Sequence, residues 1–381
     1  MIYLDHNATT PLSGEVLEAM MPYFKQSFGN ASSFYEPART ARAALEKARG
    51  TIAAAIGASP EEIVFTGSGT ESDNLALRGV CRAFQGKDLH IITSPVEHHA
   101  VLKTCEDLQG TGVRITQVPV DNSGCVDPAD VAGNITPDTV IITIMCANNE
   151  TGVIQPIQAI SEIARGKGII FHTDAVQAFG KMPVHVDELG VDLMTISAHK
   201  IYGPKGVGAL YIRKGTNISP IITGGSQERA RRAGTENIPA IAGFAKAVEM
   251  AVEHLDEAGR HMTVLRDTFE NQIMERIDNV TINGQGAPRI PNTSSMSFAS
   301  IDGESILLHL DLLGVCASTG SACATGSPEP SHVLTAMGLS HVEAQGTIRF
   351  SLGKDTTLQD IDRLCEVMPG IVSRLRRISS I

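Results

Sequence analysis

The chain has no run of apolar residues approaching the roughly 18 that a membrane-spanning helix needs, so no span is expected in its 381 residues. It also has no surplus of positive charge. Its 31 Lys and Arg against 42 Asp and Glu leave a formal net charge of −11, whereas a nucleic-acid face needs clustered cations to displace counterions. The one dense basic run, Arg229 to Arg232 in ERARRAGTEN, sits beside Glu228 and Glu236 and, taken alone, reads as a solvated loop. The opening MIYLDHNATT carries Asp5 and lacks an apolar h-region, so a secretory leader is not expected. There is no C-x-x-C pair and no HExxH, which leaves a structural zinc site with little support. The seven cysteines are odd in number and widely spread in a chain large enough to be stable without staples, a usage that suits a reducing cytoplasm.

What is present is a chain too long for one small core, 42% hydrophobic and rich in glycine. From about Glu62 to Arg213 short β-rich runs (EEIVFTG, LHIITSP, VRITQVPV, TVIITIMCAN, IIFHTDA, LMTISAH, GALYIR) alternate with helical stretches. Several runs are almost wholly apolar, as strands buried on both faces of a largely parallel sheet must be. Gly168 closes one of the intervening helices. The spacing predicts a doubly wound α/β domain. Beyond about Ala240 one long amphipathic stretch leads into a smaller α+β region with strands near VTINGQ, TSSMSFAS and TIRFSLG. The expected division is 16–253 for a large domain, with 1–15 and 254–381 forming the small one.

Ligands in open α/β sheets sit beyond the carboxyl ends of the strands. After EEIVF comes TGSGTESDN, a glycine-rich turn entering a helix with Thr70 as the expected N-cap; its free N–H groups suit a phosphate, although a plain tight turn explains it equally well. The next strands end in VEHHA, CANNETG, HTDAVQ and ISAHKIYGPKG, bringing His98, Asn149, Asp174, Gln177, Ser197, His199 and Lys200 to one crevice. Each alone has an ordinary structural explanation, as a cap, a turn or a surface lysine. A phosphate cradle, an imidazole, a strand-end carboxylate and a lysine together are what pyridoxal 5′-phosphate requires, since it needs a Schiff-base amine, an acceptor for its pyridinium proton and a group on its face.

The motifs YLDHNATTP, FGNASS, GSGTESDN, EHHAVL, NNETG, HTDAVQ, SAHKIYGPKGVG, RRAGTEN, GSACATGS, EPSHVL and TIRFSLG, in this order over nearly the whole chain, resemble the cysteine desulfurases of the class V aminotransferase group. The resemblance implies the fold-type I architecture of pyridoxal-phosphate enzymes: a large domain with a mainly parallel seven-stranded sheet, and a smaller domain carrying a cysteine loop at about 314–332. It implies that Lys200 carries the cofactor, Asp174 pairs with the ring nitrogen, Gln177 bonds the phenolic oxygen and His98 stacks on the ring. Gly69, Thr70, Ser197 and His199 would hold the phosphate, and Thr235 would reach the phosphate of the neighbouring subunit in a homodimer. Asn149 and Arg349 would grip the carboxylate of L-cysteine. Lys200, once displaced by substrate, would remove the Cα proton, and the Cys323 thiolate would take the sulfur as a persulfide, leaving L-alanine.

Cys323 lies in TGSACATGS among residues with almost no side chain, the composition of a mobile arm able to serve both the cofactor and a protein acceptor. The implied acceptor is an iron–sulfur scaffold, with Cys323 able to contact a transferred cluster; a relay protein for tRNA thiolation is the other route. Three positions depart from the family pattern: Ala31 where Pro is usual, Tyr35 where His is usual, and Asp73 where Asn is usual. A selenocysteine lyase or an aminotransferase would use the same Lys and Asp, and a non-catalytic iron–sulfur scaffold would use only the cysteines.

Overall fold

The computed structural model describes residues 1–86, 88–320 and 330–378. Its centre is a seven-stranded sheet in the spatial order Ile63–Thr66, Gly208–Ile212, Leu193–Ser197, Ile170–Asp174, Thr139–Thr143, His90–Thr93, Arg114–Gln117. Six strands run the same way; only Gly208–Ile212 is antiparallel to its two neighbours. The runs without hydrophobic alternation are the strands with every residue buried, Ile63–Thr66, His90–Thr93, Leu193–Ser197 and Gly208–Ile212. Helices on both faces require that pattern. A separate antiparallel sheet of Thr347–Ser351, Thr293–Phe298 and Val280–Ile282 accounts for the three later β-runs.

Two local features depart from the sequence reading. The long amphipathic stretch is two helices, Ile238–Glu253 and Leu255–Arg276, parted at His254. The first buries Ile241, Phe244 and Val248 in the cluster beneath the large sheet, and the second buries Met262, Leu265, Phe269 and Ile273 with Leu4 and Phe350 in another. One straight helix would have to offer both faces to one core. The second departure is at the helix Gly69–Ala83, whose N-cap is Ser68, not Thr70: Ser68 is extended and its hydroxyl accepts from the Glu71 N–H at 3.1 Å. Thr70 therefore lies inside the first turn. Gly168 does end its helix as expected, in the left-handed conformation at φ 66°.

The run ERARRAGTEN is not simply a solvated loop. Glu228 is buried and receives a two-pronged ion pair from the buried Arg49, both contacts at 2.8 Å, plus the Phe65 N–H at 2.8 Å. Arg232 then reaches Glu71 at 2.7 Å, and Glu71 accepts from the Gly67 N–H, so this segment is tied to the turn that precedes the helix Gly69–Ala83. Sequence gave no sign of Arg49, which lies far upstream. Glu228→Ala removes the buried partner of Arg49, leaving its guanidinium only the Ile63 carbonyl and the half-exposed Glu46 at 3.5 Å, and should destabilise the protein by about 3–5 kcal/mol. Urea unfolding of the variant checks this; a loss under about 1 kcal/mol, the ceiling for an exposed pair, would show that Arg49 finds solvent.

Candidate active site

The carboxyl ends of the central strands open on a cavity of about 400 Å³. Its wall includes Gly69 and Thr70 from the start of the helix Gly69–Ala83, His98 and Asn149 from the loops after two strands, and Asp174, Gln177, Ser197, His199 and Lys200. Arg349, from the outer strand Thr347–Ser351 of the three-stranded sheet, closes one side, next to Gly320. Ten of the residues expected at the site, all but Thr235 and Cys323 of those named, therefore share one cavity. Thr235 is exposed and outside it, and Cys323 lies outside the described residues.

Close packing at Gly208 sets the height of the phosphate turn. A Cβ on Gly208 would come within 2.7 Å of the Ser68 backbone carbon and 3.0 Å of the Gly69 nitrogen. Only glycine lets the turn lie directly on the strand and aim its amides into the cavity. Opposite those amides, the Ser197 hydroxyl is buried with no hydrogen-bond partner. A helix start carrying free N–H groups and partial positive charge, with an unpaired buried hydroxyl beside it, is a donor set made for a phosphate.

Lys200 follows the strand Leu193–Ser197 through a short 3-10 turn, and its Nζ donates to the carbonyls of Asn7 and Ala8, the latter at 2.8 Å. These carbonyls aim the amine into the cavity. Asp174 ends its strand; its carboxylate accepts from the Val176 N–H at 2.8 Å. Burial pushes its pKa up to about 6, against the opposing pull of that N–H and of Lys200. A carboxylate so starved of solvent is a strong acceptor for a cationic N–H.

His98 caps the helix His99–Gly110, its Nδ1 accepting from the Ala100 N–H at 3.1 Å. Burial first, and then Lys200, His99 and His332, push its pKa down to about 4. It is a neutral ring carrying its proton on Nε2. His199 is likewise pushed down to about 4 by burial and Lys200, and its Nδ1 meets the Thr9 hydroxyl at 3.1 Å. Gln177 donates to the Asn7 carbonyl at 3.0 Å and accepts from Lys181 at 2.6 Å. Arg349 is almost wholly buried. One of its terminal nitrogens pairs with Asp5 at 2.7 Å, the other donates to the Asn149 carbonyl at 3.0 Å, and its Nε is unpaired.

Several residues here had no role assigned from sequence. Asn7 and Ala8 belong to the quoted YLDHNATTP, but nothing in that string tells that its carbonyls hold a lysine nearly two hundred positions later. Lys181 is buried between Asn7 and Gln177, with burial and the charges of Lys200 and Arg349 holding its pKa well below the usual lysine range. Asp73 lies on the cavity wall with one carboxylate oxygen unpaired. Asp73, His98 and Asp174 bring ligand atoms within 4.8 Å of one another, the one such metal-sized group among the described residues. Two of them already face the space that a ring between His98 and Asp174 would fill, and the helix start alongside suits a phosphate better than a cation.

Comparison with known proteins agrees with this geometry. The aminotransferase class-V family model matches residues 2–364. A cysteine desulfurase IscS of Dictyoglomus turgidum is 54% identical over 99% of this chain and 96% of its own length. Its counterpart from Methanosarcina thermophila is 50% identical over 99% of this chain and 93% of its own. Among solved structures, a NifS-like protein superposes with a TM-score of 0.92 at 40% identity, covering 98% of this chain and all of that one. The protein titled SspA in complex with cysteine does so with a TM-score of 0.83 at 38% identity, over 94% of this chain and 100% of its own. The chain belongs to the aminotransferase class-V family, and its cofactor is pyridoxal 5′-phosphate.

Proposed function

We propose that the protein is a cysteine desulfurase, removing sulfur from L-cysteine to give L-alanine and a persulfide on Cys323 that is passed to a protein acceptor. The carrying observation is the meeting, on one cavity ending at Gly320, of Lys200, Asp174, the phosphate turn and Arg349. Relatives named cysteine desulfurase over essentially the full chain support it. When bound, pyridoxal phosphate supplies an electron sink for the pair left as the substrate's Cα–H bond breaks.

The protein's own groups do the rest. The amides at Gly69 and Thr70 and the Ser197 hydroxyl would hold the phosphate, with His199 alongside. Asp174 would accept the ring N–H, neutral His98 would lie on the ring face, and the Gln177 amide would bond the phenolic oxygen. Asn149 and Arg349 hold the substrate carboxylate, Arg349 releasing part of its contact with Asp5. Lys200, steered by the Asn7 and Ala8 carbonyls, takes the Cα proton. The Cys323 thiolate attacks the substrate sulfur: an S–S bond forms, the substrate's C–S bond breaks with its electron pair going to the carbon, that carbon takes a proton, and Lys200 returns the proton to Cα, giving alanine. No external oxidant is needed. Burial raises the thiols of Cys81 and Cys365 to about 11 and of Cys105 and Cys146 to about 12, so these four are poor nucleophiles.

The same reading makes the protein a homodimer in which Thr235 serves the neighbouring subunit's phosphate. Its exposure outside its own cavity fits that role, and the solvent-facing Leu17, Phe24, Phe28 and Phe34 offer an apolar contact face. The division of the chain at 253/254, the iron–sulfur scaffold as acceptor and a cytoplasmic setting belong to the proposal as well. Among the described residues no helix is long and apolar enough to cross a membrane.

Formation of alanine from L-cysteine by the purified, cofactor-loaded protein tests the activity, and Arg349→Lys tests the site. Losing a two-pronged charged contact should raise KM for L-cysteine about 10- to 100-fold with cofactor content retained. An unchanged KM would remove Arg349 from the substrate site.

A further inference from the structure

We propose that Asp73 is a second, proton-bearing carboxyl of the cofactor cradle, a positioning residue that answers to the charge at Asp174. This rests on the placement of Asp174 against the ring nitrogen. Asp73 stands in the first turns of the helix Gly69–Ala83, and its side chain is 2% exposed. One of its carboxylate oxygens lies within 4.8 Å of an Asp174 oxygen and a His98 ring nitrogen, and its Oδ1 has no hydrogen-bond partner.

Among the described residues no Lys or Arg is ion-paired with it. The nearest basic group, His172, has its Nε2 at 3.6 Å from the Asp73 oxygen. That ring is enclosed between the Thr143 hydroxyl at 2.8 Å and the Thr195 hydroxyl at 3.1 Å, and burial holds its pKa down to about 3, so it stays uncharged. Glu97, also buried, adds a third acidic group on the same side, while Lys200 faces Asp174 from the strand end. Two buried carboxyls this close do not both ionise without a counter-charge. Burial and Asp174 together raise the Asp73 pKa well above the carboxylate range, despite a hydrogen bond from Thr195. Asp73 is thus held toward its protonated form.

As pH rises, Asp73 gives its proton to solvent and becomes a second negative charge near the ring nitrogen. That charge favours the protonated pyridine, so the wild-type site gains affinity for pyridoxal phosphate relative to Asp73→Asn, whose amide matches the neutral acid in shape and has nothing to lose. The test is the Kd of pyridoxal phosphate for both proteins from pH 6 to pH 10, followed by the visible band of the bound cofactor, with thermal unfolding of each apoprotein as a control. The ratio of variant to wild-type Kd is expected to rise about tenfold or more across the range, the effect of a carboxylate that shifts a neighbour's pKa by a unit or more. A ratio constant with pH overturns the proposal. Asp73→Ser replaces Asp73→Asn should the latter not fold, with the same two outcomes. Asp174→Asn, measured alongside, separates the two claims: wild-type affinity in that variant would refute the Asp174 placement itself, whatever Asp73 does.

Discussion

Lys200→Ala is expected to lower kcat for alanine formation by about 10³-fold or more, since on the proposed reading it removes both the cofactor's attachment and the base for the Cα proton. The residue's position explains why no neighbour substitutes. Lys181 is a buried lysine on this side of the fold, but its amine is engaged by Asn7 and Gln177. Lys200 alone sits at the end of the strand Leu193–Ser197, with its Nζ set by the carbonyls of Asn7 and Ala8. Borohydride treatment of the wild-type protein should bleach its yellow colour and leave the cofactor covalently on the peptide holding Lys200, which peptide mapping detects. Label on Lys181, or a variant of normal activity, would refute the assignment.

Cys323→Ser should abolish persulfide formation while the protein still binds pyridoxal phosphate and keeps its visible band. A hydroxyl cannot take sulfur from a thiol by forming an S–S bond, so no route to the enzyme-bound product remains. The other cysteines do not replace it on chemical grounds: four have thiols raised to about 11 or 12 by burial, and Cys125 is raised by burial and Asp121. Cys316 is half-buried in a two-residue strand paired with Ile2–Tyr3. Full-rate alanine formation by Cys323→Ser in the presence of reductant would move the sulfur-accepting step elsewhere.

The sheet was legible because its strands are buried on both faces, which leaves continuous apolar runs that a surface strand would not show. The strand-end residues were legible for a related reason: in such a sheet the sequence after each strand is where ligands are met, so Asp174, Ser197 and Lys200 declare themselves by position. Interactions between distant segments were not legible. Glu228 looks like one more surface acid until Arg49, from another helix, is seen to enclose it. Thr70 looks like a cap because it precedes a helical run, but Ser68 holds the extended conformation and so takes the role. Asp73 was visible only as a departure from pattern; its meaning depends on His172 and Asp174, which the fold brings to its side.

The central claim is that sulfur leaves L-cysteine on Cys323, and it is tested most directly by mass spectrometry of the cofactor-loaded protein after one equivalent of L-cysteine without reductant. The account predicts a gain of one sulfur atom, located by peptide analysis on Cys323 and removed by a thiol, together with one equivalent of alanine. Alanine formed with no sulfur on the protein, or sulfur found on Cys316 instead, would contradict it.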